Sequence, residues 1–507
     1  MLSQIDRQRI REVLQTVLII CAVFAACKFT KGIAVVGLVL YAVNMAATQQ
    51  LGKALACYVL FPLLVVMNPY ICSIGSIGMA GLKIGFMVMT FMLVLAAGQR
   101  RGNEALPMTG LWAYLVVSCF SSVFGYAPMI SFLKLVNFSM FLIGLGFGLR
   151  NIHQKPKELM FLRRFLLAIA TIIIFGSLMT AFLFPGIGYF QSTGRIADTY
   201  GVAQANEFAR TSMGFGLLAG ITNQSQCLAP LTAVTMTWVL CDMMFIEKRV
   251  SKLHLALFLA AVPLVYLTRS RCALLASVVG FFSVSMFCFR YLSVSPMLKK
   301  TLRGIFSGIV FLVMIAALIA EVKDHRVSRL VRKTDDLQGD DRSLVTAVTS
   351  SRQGLIQESL YDFRQNPLIG KGFQVAECFQ YIYGPMQIVW SAPIEKGVLP
   401  IMILGEAGIL GAVVFFVFLV TFYGVCMSRK YAVTGGLFTV YLASNLGEAT
   451  FFSTGGAGGI LWIMALVGGF TIDMIVKHER QLKKMEGGYG MMPPPPPRVL
   501  PPPLRRV

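Results

Sequence analysis

The residues with most chemical content in this sequence are arginines set in apolar surroundings. Arg195 and Arg210 lie in one long segment between apolar runs, and Thr268-Arg269-Ser270-Arg271 fills a very short turn between two such runs. Arg352 stands at the start of a short helical pattern, and Lys396 directly precedes an apolar stretch. A guanidinium presents a planar fork that binds phosphate oxygens bidentately, which an ammonium does not. Arg352 near a helix N-terminus adds backbone N–H groups suited to an anion. The sharper reading is therefore a cluster of cations converging on an anion. The blander reading of Arg271 is a snorkelling side chain at the edge of a span, since an Arg forced into hydrocarbon costs about 2.5–3.5 kcal/mol on insertion scales.

The acids on the same side are Glu395, Glu406 and Glu448. Glu406 sits in Leu404-Gly405-Glu406-Ala407-Gly408, inside an apolar run. A carboxylate there is neutral, paired with an arginine, or open to a watery cavity. Asp335-Asp336 and Asp340-Asp341 offer oxygen ligands, but a solvated stretch neutralising Arg329, Arg332 and Lys333 accounts for them, and no metal is expected. Gly370-Lys371-Gly372 lacks the rest of a phosphate-binding loop. No two of the four histidines have metal-ligand spacing, and only His325 falls on the side of the arginines.

The elements that must position these residues follow from composition. Of 507 residues 56% are apolar and only 13% charged, where soluble domains carry about a quarter charged. That balance excludes a soluble enzyme, a nucleic-acid module and a disordered regulator. Apolar runs fall at 13–29, 33–47, 52–68, 80–98, 109–125, 130–149, 164–184, 224–245, 253–268, 271–290, 303–321, 397–426, 431–448 and 457–476. A span needs roughly 20 apolar residues, so the fold class is all-α: a polytopic membrane helix bundle with about 12–14 transmembrane helices. The first run reads as a retained signal anchor. The cysteines act mostly as small hydrophobes. Cys72 and Cys378 fall in outer loops and form a candidate disulfide pair.

The net charge of +22 (45 Lys and Arg against 23 acids) resolves into topology. Arg100–Arg101, Lys155–Arg164, Lys248–Lys252, Lys299–Arg303 and Arg429–Lys430 occupy alternate loops, with both termini on the same side. The opposing short loops are nearly uncharged. The positive-inside bias puts both termini in the cytoplasm. The organisation is then 1–320 as a helix bundle of about 11 spans, 321–396 as an outward loop, 397–476 as the last helices, and 477–507 as a cytoplasmic tail ending in proline runs that favour extended polyproline II. Within the loop, Ser350 and Gln353 form a capping-box pattern. Leu355, Ile356, Leu360 and Phe363 then share one helical face before Asn366-Pro367 stops the helix.

Four segments in order resemble the O-antigen ligase and Wzy-type polysaccharide polymerase family of bacterial inner-membrane proteins. They are Arg210 with Gly220-Ile221-Thr222-Asn223-Gln224-Ser225-Gln226-Cys227-Leu228-Ala229; Thr268-Arg269-Ser270-Arg271-Cys272-Ala273-Leu274-Leu275; Ser351-Arg352 with Asn366-Pro367-Leu368-Ile369-Gly370-Lys371-Gly372-Phe373; and Gly405-Glu406-Ala407-Gly408-Ile409-Leu410-Gly411. The resemblance covers roughly residues 185–425; the first seven spans match only by hydropathy. It implies a GT-C-like glycosyltransferase without cofactor, acting on the periplasmic face. The implied partners are a polyprenyl-diphosphate-linked glycan donor, a glycan or lipid-linked acceptor, the lipid bilayer, and chain-length or export proteins, with no nucleic acid. Arg210, Arg269, Arg271, Arg352 and Lys396 would hold the diphosphate, and Arg271 and Arg352 would also act in catalysis. The family's ligases carry a His-Asn pair just before the Glu-x-Gly motif. This chain has Glu395-Lys396-Gly397 there, which favours a polymerase or exopolysaccharide member over a ligase and makes Glu395 the candidate base, with Glu406 as secondary candidate. A lipid-linked oligosaccharide flippase or other polytopic transporter is the alternative.

Overall fold

The computed structural model describes residues 4–97, 108–153, 155–189, 217–248, 251–268, 270–291, 353–375, 398–428, 431–447, 449–454 and 456–489. All regular structure among them is helical, apart from one isolated bridge between Met67 and Thr222. The chain is an all-α polytopic membrane bundle. Seven helices are long and apolar enough to span: α1 (Gln4–Phe29), α4 (Gly75–Ala97), α6 (Pro128–Ile152), α7 (Pro156–Phe182), α8 (Ser225–Glu247), α12 (Leu399–Ser428) and α14 (Ala457–Leu482, helical on to Tyr489). Six shorter apolar helices alternate with them: α2 (Ile33–Ala47), α3 (Leu51–Val66), α5 (Thr109–Val123), α9 (Lys252–Leu267), α10 (Arg271–Tyr291) and α13 (Ala432–Ser444). α11 (Gln353–Gln365) belongs to the predicted loop. Each of these apolar helices falls on one of the expected runs; the run at 303–321 lies outside the described residues.

Burial sorts the helices. The apolar window of α14 is buried throughout, as expected for a helix that is apolar all round and sits at a bundle centre. The outer helices α1, α4, α5 and α12 instead expose Leu18, Phe91, Phe120 and Phe416, each more than 60% accessible. Large apolar faces of this kind are stable against lipid and not against water.

Hydrogen bonds between distant segments define two ends. At the end where α1 begins, Glu158 accepts from the Gly52 amide (2.8 Å) and Lys155 Nζ donates to Gln49 O (3.0 Å). There too Arg164 pairs with Glu12 (2.7 Å), and His478 Nε2 lies 2.8 Å from His153 O. Asp473 accepts from the Thr434 amide (2.8 Å) and hydroxyl (2.7 Å), capping α13 from a neighbouring helix. A buried network ties α7 to α8 and α9: Arg163 Nε and Nη2 donate to the two oxygens of Asp242 (2.7 and 2.8 Å), Arg163 also pairs with Glu247, and His254 Nε2 lies 2.7 Å from Asp242 Oδ2. This is the end where the basic loops gather, and it is called the basic end below.

Candidate functional site

At the opposite end two of the segments singled out by sequence leave helical geometry. In the first, residues 217–224 lead into α8 through a turn at Gly220 (φ 61°), the Thr222 amide donating to Ala219 O (3.0 Å). The Asn68 amide donates to Ile221 O (2.8 Å) and the Asn223 amide to Val66 O (2.8 Å), while Asn68 Nδ2 donates to Ile187 O (2.9 Å). Leu217 to Thr222 are buried. Backbone freed from a helix within an apolar bundle must find partners inside the protein, and residues 66–68 supply them.

The second crossing is more elaborate. α12 is interrupted at Gly408, where φ is 65° and ψ −165°. The segment after α11 lies across the interruption. The Ile409 and Leu410 amides donate to Pro367 O (2.8 Å) and Leu368 O (3.2 Å). In return, the Lys371 and Gly372 amides donate to Gly405 O (3.0 Å) and Glu406 O (3.1 Å). Gly370, with φ 72°, passes so close that an added Cβ would collide with the Glu406–Ala407 peptide. The Asn366–Phe373 and Gly405–Gly411 motifs are thus a single structural unit.

Serine hydroxyls on α5 and α6 hold this unit. Ser121 Oγ donates to Glu406 O and accepts from the Gly372 amide (3.0 Å). Ser131 Oγ accepts from the Phe373 amide (2.8 Å) and lies 3.0 Å from Phe373 O and 2.6 Å from Ser122 Oγ. The Tyr126 amide donates to Lys371 O (3.1 Å), and Lys371 Nζ stands 4.9 Å above the Tyr126 ring. Tyr126 Oη in turn donates to Asp362 Oδ1 of α11 (2.6 Å). α11 half-buries Leu355, Ile356, Leu360 and Phe363, the face expected from their spacing, and its Ser359 carbonyl abuts Gly405. Beneath the crossing, Phe373, Phe138 and Phe452 pack edge to face or tilted, and Phe452 stacks on Tyr114 at 5.2 Å.

The remaining motif joins the same end. The Leu218 amide donates to Leu267 O (3.4 Å), which ties the first unwound segment to the turn before α10. A Cβ on Gly447 would collide with Cys272, so α10 begins against the end of α13. The Leu399 amide donates to Asn445 O (3.1 Å), which brings the start of α12 there as well.

Among the sequence-derived site residues, the structure describes Glu406 fully and Arg271 as the first residue of α10. Arg210, Arg269, Arg352, Glu395 and Lys396 lie outside the described residues, as do Arg195, Glu448, His325, Cys378 and the acidic stretch at 335–341. Arg269 falls between the described Thr268 and Ser270, and Arg352 immediately precedes α11. Glu406 is 1% exposed in the broken part of α12. Cys72 is buried and hydrogen-bonded to the Cys27 thiol. Among the described residues no group of three or more His, Cys, Asp or Glu is arranged to hold a metal.

Sequence reasoning missed three residues of this region. Lys134 is 3% exposed on the α6 face that carries Ser131 and Phe138. Gln374 is buried in left-handed geometry (φ 53°), and its Nε2 has no acceptor among the described residues. Asn68 organises the first crossing. The available signal was Lys134, an ionisable residue inside an apolar run, which is a functional candidate by default. No protein-family model matches the chain, and no curated protein matches it.

Proposed function

We propose that this chain is a membrane glycosyltransferase of the polysaccharide-polymerase type, working on polyprenyl-diphosphate-linked glycan at the end of the bundle opposite the basic loops. The observation that carries the reading is the gathering, at that one end, of the described parts of the four motif segments, two of them hydrogen-bonded into the Gly408 crossing. With the basic loops in the cytoplasm, that end faces the periplasm of a bacterial inner membrane.

In this reading an acceptor hydroxyl attacks the anomeric carbon of the donor. The bond from that carbon to the phosphate oxygen breaks, and the diphosphate leaves with the electron pair. Arg210, Arg269, Arg271, Arg352 and Lys396 neutralise the charge that develops on it. Glu395 takes the hydroxyl proton, a contribution of about 10²–10⁴-fold for a positioned base. Glu406, fixed in the broken helix, shapes the acceptor side.

The test is polymer formation from lipid-linked repeat units in proteoliposomes, with chelator present. Glu395→Gln is expected to abolish turnover and leave donor binding intact, and Arg352→Lys is expected to be inactive at normal membrane levels, because Lys lacks the bidentate fork. Full activity of Arg352→Lys, or of Glu395→Gln, removes that residue from the mechanism. The broken α12 also suits a lipid-linked oligosaccharide flippase, since interrupted helices recur in transporters. Translocation of labelled donor with no new glycosidic bond would select that reading.

A further inference from the structure

Two cysteines meet at the motif end. Cys27 lies in the last turn of α1 and Cys72 in the segment between α3 and α4. They are 0% and 3% exposed, and their thiols are hydrogen-bonded to each other. Both are free thiols in the structure, and Cys378, the partner that the sequence suggests for Cys72, lies outside the described residues. We infer that Cys27 and Cys72 are a disulfide site, closed by exchange with a disulfide-bearing oxidant, and that the bond braces the first crossing.

Backbone packing on either side of Cys72 holds the pair together independently of the thiols. Tyr70 O accepts from Lys28 Nζ, next in sequence to Cys27. On the other side, Ile74 O lies so close to Gly32 that an added Cβ there would collide with it, and a Cβ on Gly75 would come within 3.2 Å of Lys31 O. Gly32 reaches this approach at φ 94°, which glycine tolerates, while its amide donates to Cys27 O (2.9 Å) and closes the end of α1. Two cysteines whose Cβ vectors point apart cannot be bridged without moving backbone. Here the thiol–thiol hydrogen bond aims the side chains at each other from backbones already in contact.

Cys72 also belongs to the turn that organises the first crossing. The Cys72 and Ile71 amides donate to Asn68 O (2.9 and 2.8 Å), and the Tyr70 amide donates to Asn68 Oδ1 (3.0 Å). Asn68 in turn donates to Ile221 O and Ile187 O. A bond from Cys72 to Cys27 ties this turn to the end of α1. A cross-link acts chiefly by removing freedom from the opened chain, so its effect falls on the opening of residues 66–72 and of the segment they hold.

The reaction is a two-step exchange. Cys72, the less buried of the two, attacks a sulfur of the oxidant as thiolate. A mixed disulfide forms and one oxidant sulfur leaves. The Cys27 thiolate then attacks Cys72 Sγ, the Cys27–Cys72 bond forms, and the second oxidant sulfur leaves. Two electrons pass from the cysteines to the oxidant, and the two thiol protons end on the two released sulfurs. In the cell this step needs an oxidising compartment and so rests on the proposed outward placement of the motif end; in the purified chain it does not.

The test takes the purified full chain in detergent, reduces it, removes the reductant and adds dipyridyl disulfide, which is small and apolar enough to reach covered sulfurs. Remaining thiols are blocked with maleimide in SDS, and peptides are read by mass spectrometry without reduction. The expected result is a Cys27–Cys72 linked peptide as the dominant cross-link. Amide exchange at Asn68 and Asn223 is expected to be about tenfold or more slower in the linked chain than in the reduced one, and Cys27→Ala is expected to abolish that difference. A Cys72 that stays a thiol or a mixed disulfide beside an intact Cys27, or that links to Cys378, overturns the site. Exchange indifferent to the bond overturns the bracing. Maleimide trapping in intact cells, read the same way, separates the site from the topology: a bond that forms in the purified chain and is absent from the cell refutes the outward placement and leaves the site standing.

Discussion

Gly408→Ala tests whether the crossing of α12 by residues 367–372 is what holds the motif end together. At φ 65° and ψ −165° the residue occupies a region essentially reserved for glycine. The added Cβ would stand 2.6 Å from Ile369 N and closer still to the Leu368 carbonyl. Both neighbours are backbone, so no side chain can swing away. Relief requires moving the crossing segment, which breaks the bonds from the Ile409 and Leu410 amides to Pro367 O and Leu368 O. Backbone strain of about 1–3 kcal/mol and two hydrogen bonds at about 1 kcal/mol each give a loss of roughly 3–5 kcal/mol.

Gly424→Ala is the matched control. It lies in the same helix, and nothing stands within 4 Å of an added Cβ. Alanine in a helix interior is expected to stabilise by about 0.5–1 kcal/mol there. The assay is SDS-driven unfolding in mixed micelles, paired with amide hydrogen exchange over residues 366–375. Gly408→Ala should unfold at markedly lower SDS and lose protection at Lys371 and Gly372. If it unfolds like the wild type with protection intact, the crossing does not carry the stability assigned to it.

Two further outcomes follow from the same geometry. Ser131→Ala removes the acceptor of the Phe373 amide, a buried donor, so a loss of about 1–3 kcal/mol is expected, with exchange at Phe373 rising while α1 and α2 keep their protection; uniform loosening would point to a global packing defect instead. The hydrogen bond to Cys27 and burial push the Cys72 thiol up, and because the thiolate is the reactive form, maleimide labelling of Cys72 in the reduced chain at about pH 8 should run about tenfold or more slower in the folded protein than after SDS unfolding, and equal rates would contradict the burial of Cys72 beside Cys27.

The helix ladder was legible because each apolar helix announces itself by length and composition, and because alternating loop charge reports connectivity. The interruption in α12 was not. The run at 397–426 reads as one continuous span, since Gly405 and Gly408 are ordinary in transmembrane helices. The partner that makes the break stable is backbone about 40 residues earlier in the chain, and backbone pairing leaves no periodicity to read. The motif segments were recognised singly, and nothing in either indicated that they bond to each other. Charged residues inside the bundle were lost for another reason. Lys134 and Asp242 disappear in a hydropathy average, and Arg163 was counted only as a basic-loop charge, although it is 5% exposed and bonded to Asp242.

The two ends of the bundle are held by different chemistry, and the difference bears on where catalysis fits. The basic end is closed by ion pairs and carboxylate caps: Arg163 with Asp242 and Glu247, Glu158 on the Gly52 amide, Asp473 on Thr434. Charges there neutralise one another within the protein. At the motif end the ties are mostly neutral, made of backbone carbonyls, amides and the hydroxyls of Ser121, Ser122 and Ser131, with the Tyr126–Asp362 bond and Lys371 over the Tyr126 ring beside them. None of these bonds uses a guanidinium. Stabilising a departing diphosphate requires positive charge that is positioned before the reaction and not already satisfied by the protein's own acids. In the proposed reading that charge comes from Arg271, the first residue of α10, and Arg352, next in sequence to the anchored α11.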